Sequence, residues 1–498
     1  MNLKNILVGI ENLKVKGSLD IDILGLKNNS QDVKENDMFV AIKGYKTNGH
    51  EHIEEAIKNG AKVILAQESE VTKELVKKIP EDVTIVLAPD TRYALAICSC
   101  NYYGNPSKKM KLIGVTGTKG KTTITYMIKS ILEKQGIKVG LIGTVAAYIG
   151  SKKLENSNIT TPESLKLQEI LAKMAEEKCE VVVMEVSSQS LKLSRVAGCS
   201  FDIAVFTNLA EDHISEKEHS DMEDYFNTKV ELFKMCDIGY INADDIYANR
   251  IPKLVPDCNI TTYGIDNTCN LLAKDITVTN QYVDFKVKLN DKNERVKVSI
   301  PGRFSVYNAL AAISVALRLG CSSENIKEAL LNIRVPGRSE IVDNKLGLTV
   351  MIDYAHTPES LEKILSSVKI YTKGRVISVF GCGGDRDKFK RPMMGEISGR
   401  VADYTIITSD NPRSEDPDVI VSEVEGGIKK TKGKYECIVN RVEAIRKAIQ
   451  MANTKDIIVI AGKGHEQYQE INGKRNPFDE NLIVRELVEE EINKKKKK

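Results

Sequence analysis

Short apolar runs, closed by polar or glycine-rich turns, recur along the whole chain and alternate with stretches of helical spacing. In the first hundred residues Met38 to Ile42 and Ala61 to Ala66 read as strands flanking a helix at Glu51 to Asn59, with Gly25, Gly44, Gly49 and Gly60 between them. Farther on, Lys111-Leu112-Ile113 begins a strand, Ile124 to Gln135 has helical spacing and ends at Gly136, and Val139 to Gly143, Val181 to Val186 and Phe201 to Thr207 are continuous apolar runs of the kind buried on both faces of a parallel sheet. A β-rich stretch, Asp275 to Ile300, leads to a helix at Ser305 to Arg318. The last third returns to βα alternation, with strands at Leu348 to Ile352, Val376 to Phe380, Tyr404 to Thr408 and Ile457 to Ile460.

The pattern breaks at Asn105-Pro106-Ser107 and at Val335-Pro336-Gly337-Arg338. A chain of 498 residues exceeds one core. The expectation is an α/β protein of three domains: a smaller N-terminal α/β domain (1–107), a central domain with a mainly parallel sheet (108–338) and a C-terminal Rossmann-like domain (339–498).

Composition narrows the class. With 42% hydrophobic and 28% charged residues the chain reads as a globular protein. Its net charge of +3 includes five terminal lysines, Lys494 to Lys498, so the body is slightly acidic and offers no basic face to nucleic acid. That tail reads as a solvated, fraying end. The N-terminus is no signal peptide, and the longest mostly uncharged stretch, Phe304 to Leu317, is short of the ~18 residues of a membrane span. Ten scattered cysteines, of which only Cys98 and Cys100 are close, fit reduced cytoplasmic thiols. His50 and His52 read as surface histidines, since no third metal ligand accompanies them.

Chemistry enters at Gly114-Val115-Thr116-Gly117-Thr118-Lys119-Gly120-Lys121-Thr122-Thr123, which lies between the Lys111 strand and the Ile124 helix. This is the setting of a phosphate loop. Backbone N–H groups of Gly117 to Thr123 close around phosphate oxygens, Lys121 reaches the terminal phosphates, and the Thr122 hydroxyl can ligate Mg²⁺. Val115 stands where the common pattern has its first glycine, and Gly114 and Gly117 flank it. The central sheet is accordingly of the P-loop ATPase type. Ligands of such sheets collect at strand carboxyl ends, which is where Glu185, Ser187, Asn208, Asp212 and His213 would lie. Glu185 ends a hydrophobic strand, and a carboxylate there needs a cation or a donor, so it reads as a Mg²⁺ ligand. His213 alone reads as structural. Lys229, within an amphipathic stretch Asp224 to Phe233, reads as an exposed helical lysine.

In the last third each strand ends in a polar turn: Asp353 to Pro358, Gly381 to Asp387, Asp410 to Arg413 and Gly462 to Glu466. The second lacks Gly-x-Gly-x-x-Gly, which disfavours NAD. Four such turns at one sheet edge mark a binding face.

In order, Gly114 to Thr123, Thr160-Thr161-Pro162, Met184-Glu185-Val186-Ser187-Ser188, Tyr307-Asn308-Ala309 and the four C-terminal turns resemble the Mur ligase family, ATP-dependent enzymes that extend the peptidoglycan precursor in the bacterial cytoplasm. The resemblance covers nearly the whole chain and implies ATP, Mg²⁺, a UDP-N-acetylmuramoyl-dipeptide and meso-diaminopimelate as ligands, with a cytoplasmic monomer that neither binds nucleic acid nor inserts into a membrane. It implies catalytic roles for Lys121, Glu185, His213 and Lys229, the last as a carbamylated lysine that joins Thr122, Glu185 and His213 on the metal. ATP would be held by Gly117, Thr118, Lys119, Gly120, Lys121, Thr122, Thr123, Asn308, Arg338 and Asp353. Asn28, Ser30, Tyr45, Lys46 and Thr47 would meet the UDP end of the substrate, and Thr160, Thr161, Ser187 and Arg195 its sugar-peptide end. The amino-acid pocket maps onto Arg386, Asp410, Asn411, Pro412, Arg413, Gly462 and Glu466. An arginine fork suits the second carboxylate that diaminopimelate carries and L-lysine lacks. L-Lysine is the alternative amino acid.

The chain departs from the family at several points. Asn29-Ser30-Gln31 replaces Asp-Ser-Arg, Lys119 replaces an asparagine, Gln189 replaces the histidine of Ser-Ser-His, and Leu193 replaces a glutamine. The segment after His213 is about two residues longer and carries Glu218-His219. A folylpolyglutamate synthetase would share the phosphate loop but lack the Gly381 and Asp410 turns. A non-catalytic nucleotide-binding regulator would have lost Lys121, Glu185 or His213.

Overall fold

The computed structural model describes all residues except Tyr45, Lys46, Asn158, His213, Glu216, Lys217, Lys497 and Lys498, together with the side chains of all but Lys495 and Lys496 among the rest. By internal contacts the chain forms two compact units, Met1–Tyr263 with Asn267–Asn270, and Gly264–Asp266 with Leu271–Lys498.

The first unit holds two sheets. The N-terminal one runs in the order Lys14–Lys16, Thr84–Ala88, Val63–Gln67, Asp37–Val40, Gly25–Lys27, parallel except for its first strand. Asp37–Val40 is buried at every position, as the unbroken apolar reading predicts for a strand covered on both faces. The expected helix at Glu51 to Asn59 is split into a 3₁₀ turn, Gly49–His52, and a helix, Ile53–Lys58. His50 departs from its surface assignment: it is buried, with Nδ1 2.7 Å from Asn48 Oδ1 and Nε2 accepting from Gln67 N at 2.9 Å. Burial pushes its pKa down. The ring ties the Asn48 side chain to the backbone of Gln67, a use that spacing along the chain does not reveal.

The second sheet carries the phosphate loop. From Asn259–Gly264 it proceeds through Cys236–Asn242, Phe201–Phe206, Lys111–Thr116, Val181–Glu185 and Val139–Ile142, all parallel, and closes with antiparallel Ala146–Ile149 and Lys152–Asn156. Lys111–Thr116 is central, between Phe201–Phe206 and Val181–Glu185. Three strand ends therefore converge where the loop begins, the position at which open α/β sheets bind ligands. Gly114 is required there by packing, because a Cβ would lie 2.9 Å from the Phe201 ring.

The second unit starts with an antiparallel sheet, Lys274–Val278, Val283–Leu289 and Lys292–Val298, against which the apolar helix Phe304–Arg318 packs. Its main sheet has the order Glu340–Ile341, Thr349–Asp353, Ile457–Ala461, Val376–Phe380, Tyr404–Ile407, Tyr435–Cys437, parallel but for the first strand. Helices cover both faces, giving two separate apolar clusters. A hairpin, Tyr468–Ile471 with Lys474–Pro477, was not foreseen from the sequence; its polar strands carry no apolar signal. The terminal helix Glu480–Lys496 runs into the lysine run that reads as a frayed end, so that reading is corrected as far as Lys496. The ten cysteines are free thiols. No described helix is long and apolar enough to cross a membrane.

Candidate active site

The loop takes its shape from two glycines in the left-handed region, Gly117 at φ 140° and Gly120 at φ 92°. At Gly117 a Cβ would lie 1.9 Å from Thr207 Oγ1, so the loop tolerates no side chain there. The strand end after Phe201–Phe206 braces it. Thr207 Oγ1 and Asn208 Nδ2 donate to Lys119 O at 2.6 and 3.1 Å, Asn208 Oδ1 accepts from Lys119 N, and Thr118 N donates to Asn208 O. Lys121 opens the helix Lys121–Lys134 and folds over the loop, donating to Gly117 O at 2.8 Å and Thr118 O at 3.2 Å. Lys119, the family departure, pairs with Asp212 at 3.0 Å.

Glu185 is 1% exposed, and its three recorded donors are all neutral. Thr144 N reaches Oε1 at 2.8 Å, while the hydroxyls of Thr122 and Thr144 reach Oε2 at 2.9 and 3.0 Å. A carboxylate this deep, touched among the described residues by these dipoles and paired with the hydroxyl of a phosphate-loop threonine, is a fitting donor set for a small hard cation. Among the described residues no three His, Cys, Asp or Glu side chains converge into a ready-made cage. His213 lies outside the described residues.

Lys229 overturns the exposed-lysine expectation. It sits on the helix Met222–Val230, is 1% exposed, donates from Nζ to Gly117 O at 3.1 Å and stands 4.4 Å from the centre of the Tyr225 ring. Burial, reinforced by the charge of Lys121, drives its pKa well below the usual lysine value despite the opposing pull of Asp212. Its surroundings therefore disfavour the ammonium and favour the free amine.

These groups border a cavity of about 240 Å³ lined by Lys121, Thr160, Ser187, Ser188, Arg195, His219, Tyr225 and Lys229, among others. Thr161 is buried behind it, donating to Glu185 O at 2.9 Å and accepting from Ser187 N at 3.1 Å. Arg195 donates to Thr161 O and pairs with Glu163 at 2.7 Å. Thus Thr160, Thr161, Ser187 and Arg195, assigned to one substrate end, do gather beside the phosphate loop. Of the residues assigned to UDP, Asn28 and Thr47 are exposed, Ser30 is buried against Glu55 at 2.6 Å, and none of these three lines this cavity. Tyr45 and Lys46 lie outside the described residues.

In the second unit Asp353 accepts from Ala355 N and Ser339 N at 2.9 and 2.8 Å, and burial raises its pKa. Arg338 lies over the Tyr354 ring at 4.8 Å, and Asn308 is buried on its helix. The turns holding Asp410 to Arg413 and Gly462 to Glu466 meet. A Cβ on Gly462 would lie 2.5 Å from Asp410 Oδ2; Asn411 Nδ2 donates to Glu466 Oε2 at 2.8 Å, and buried Lys463 donates to both side chains. Arg413 adopts φ 54°, donates to Gly384 O at 2.6 Å and lies 3.8 Å from Glu470, while Arg386 is exposed beside them.

Sequence reasoning missed Thr144, Ser188, His219, Tyr225 and Lys463. Thr144 had a usable signal, since it follows directly on the strand Val139–Ile142 at the ligand-binding edge. Tyr225 and Lys229, four apart on one helix, also share a face.

Comparison with known proteins agrees with this geometry. Residues 22–103 match the Mur ligase family catalytic domain, 115–316 the Mur ligase middle domain and 337–464 the Mur ligase glutamate ligase domain. A Caldanaerobacter subterraneus subsp. tengcongensis protein named UDP-N-acetylmuramoyl-L-alanyl-D-glutamate--2,6-diaminopimelate ligase is 48% identical over 98% of this chain and 99% of its own. A Clostridium botulinum protein of the same name is 47% identical over 98% of this chain and 100% of its own. A solved structure of a ligase with that name superimposes with a TM-score of 0.71 at 29% identity, covering 99% of both chains. With three family domains matched in order and full-length relatives at this identity, the chain belongs to the Mur ligase family of ATP-dependent ligases.

Proposed function

We propose that the chain joins meso-diaminopimelate to the γ-carboxylate of D-glutamate in UDP-N-acetylmuramoyl-L-alanyl-D-glutamate, cleaving ATP to ADP and phosphate. The observation that carries the reading is near full-length similarity to diaminopimelate-adding ligases, 48% and 47% identical. Arg413 within the Asp410 turn supports the choice of amino acid, for the reason of its bidentate fork.

The γ-carboxylate oxygen attacks the terminal phosphorus of ATP, forming an acyl phosphate as ADP leaves. The amine of diaminopimelate then attacks the acyl carbon, phosphate departs, and the amide forms with loss of a proton. In this reading the N–H groups of Gly117 to Thr123 and the Lys121 ammonium hold the phosphates, with Asn308, Arg338 and Asp353 on the nucleotide. Thr122, Glu185, His213 and a carbamylated Lys229 would hold Mg²⁺. Such an ion supplies positive charge to the phosphoryl oxygens. Lys229, whose charged form burial disfavours, suits carbamylation: the nitrogen of its free amine attacks CO₂, a proton is released, and the product is an anion that hydrogen-bonds or ligates where an ammonium would repel a cation.

Thr160, Thr161, Ser187 and Arg195 would hold the peptide end, and Asn28, Ser30, Tyr45, Lys46 and Thr47 the uridine diphosphate. Arg386, Asp410, Asn411, Pro412, Arg413, Gly462 and Glu466 would receive diaminopimelate. Functionally the chain divides into 1–107, 108–338 and 339–498, each supplying one reactant, and works as a cytoplasmic monomer. Phosphate release from ATP with the UDP-dipeptide and a panel of amino acids tests the reading: meso-diaminopimelate supports turnover, and turnover with L-lysine alone overturns the choice of amino acid.

A further inference from the structure

We propose that Ser188 is a hydrogen-bond acceptor for the amide N–H preceding the D-glutamate of the substrate, set in that role by His219. The inference rests on the activity proposed above. Asp224 Oδ2 lies 3.1 Å from His219 Nδ1 and also accepts from Lys192 Nζ at 2.8 Å and Ser220 N at 3.2 Å. A carboxylate so placed is acceptor-only, so Nδ1 carries a proton, and burial, which pushes the pKa of His219 down, favours the ring with that proton alone. That leaves Nε2 with a lone pair, 3.0 Å from Ser188 Oγ. The Ser188 hydroxyl has one proton and gives it to Nε2, so only lone pairs remain for any other partner. The ring is fixed in this arrangement by burial, at 1% exposure, and by contact with Tyr225, whose centroid is 4.9 Å away.

Ser188 is buried yet lines the 240 Å³ cavity together with Lys121, Lys229, Thr160 and Arg195. A ligand group that hydrogen-bonds to it directly must be a donor, since an acceptor would meet only lone pairs. The carboxylate that receives the phosphoryl group belongs near Lys121 and accepts only. Along the substrate from that carboxylate, the first donor is the amide N–H on the glutamate α-carbon. His219 is thus a positioning residue, which acts by keeping Ser188 from donating.

The test compares the natural UDP-dipeptide with an analogue whose L-alanyl–D-glutamate amide is an ester, which replaces the N–H by oxygen. Turnover of the natural substrate with ATP and meso-diaminopimelate is established first, and its failure counts against the functional reading alone. The wild-type KM for the ester is then expected to rise about five- to tenfold with kcat little changed. Ser188→Ala raises the KM for the natural substrate about as much, removes the ester penalty and leaves the KM for ATP unmoved. His219→Phe frees the Ser188 proton and relaxes the discrimination, and His219→Gln, whose amide oxygen can accept that proton, restores part of it. A wild-type enzyme that does not discriminate, or a Ser188→Ala variant that keeps the full penalty, overturns the proposal.

Discussion

Lys229 Nζ donates to the carbonyl of Gly117 at 3.1 Å, across 112 positions of sequence. This bond puts a buried amine on the wall of the phosphate loop. Burial and the charge of Lys121 disfavour an ammonium there, against the pull of Asp212, the Gly117 carbonyl and the Tyr225 ring.

Lys229→Ala is therefore expected to lower phosphate release by on the order of a hundredfold or more, with partial rescue by a short carboxylate added to the assay. Depleting CO₂ from the wild-type enzyme should reproduce part of the loss, and bicarbonate should reverse it. Full activity of the alanine variant would remove the carbamate role.

Glu185→Gln keeps the shape and can still accept from Thr144 N, while its amide NH₂ replaces the oxygen that accepts from the Thr122 and Thr144 hydroxyls and the charge is removed. The Mg²⁺ concentration for half-maximal activity should rise on the order of ten- to a hundredfold while the thermal midpoint changes little. An unchanged Mg²⁺ titration would exclude Glu185 from the metal.

Arg413 is held by Gly384 O and Glu470, so its fork is oriented before any ligand arrives. Arg413→Lys keeps the charge and loses the fork. The KM for meso-diaminopimelate should rise about tenfold or more while that for ATP stays put, as initial rates over both substrates will tell.

Fully buried Arg391 pairs with Glu415 at 2.9 Å and Glu423 at 2.6 Å, and holds the Glu415 carboxyl at about 2. A carboxyl depressed in the folded state contributes stability above its unfolded value of 4.5 and loses it as pH falls towards 2. The wild-type thermal midpoint should fall through that window, and Glu415→Gln should be less stable at neutral pH but flatter on the acid side. Parallel acid limbs for the two proteins would refute the assignment.

Local order decided much of this protein before any tertiary contact. Continuous apolar runs such as Val181 to Val186 and Val376 to Phe380 are parallel strands because burial on both faces leaves no room for alternation. The glycine pattern Gly117 to Gly120 announced a phosphate loop because left-handed φ and close backbone approach are demands on single residues. Glu185 was legible for the same reason, an acid at the end of an apolar strand.

Only the fold decided which polar side chains are buried and what they touch. Lys229 reads as a solvated helical lysine until the loop of Gly117 is set against its helix, His50 as a surface histidine until Gln67 closes on it, and Ser188 as one serine of a turn until His219 and Asp224 define its single proton. Spacing along a chain encodes which face a residue occupies. The protonation state and hydrogen-bond polarity of that residue depend on partners brought from far along the sequence, and those are properties of the packed structure.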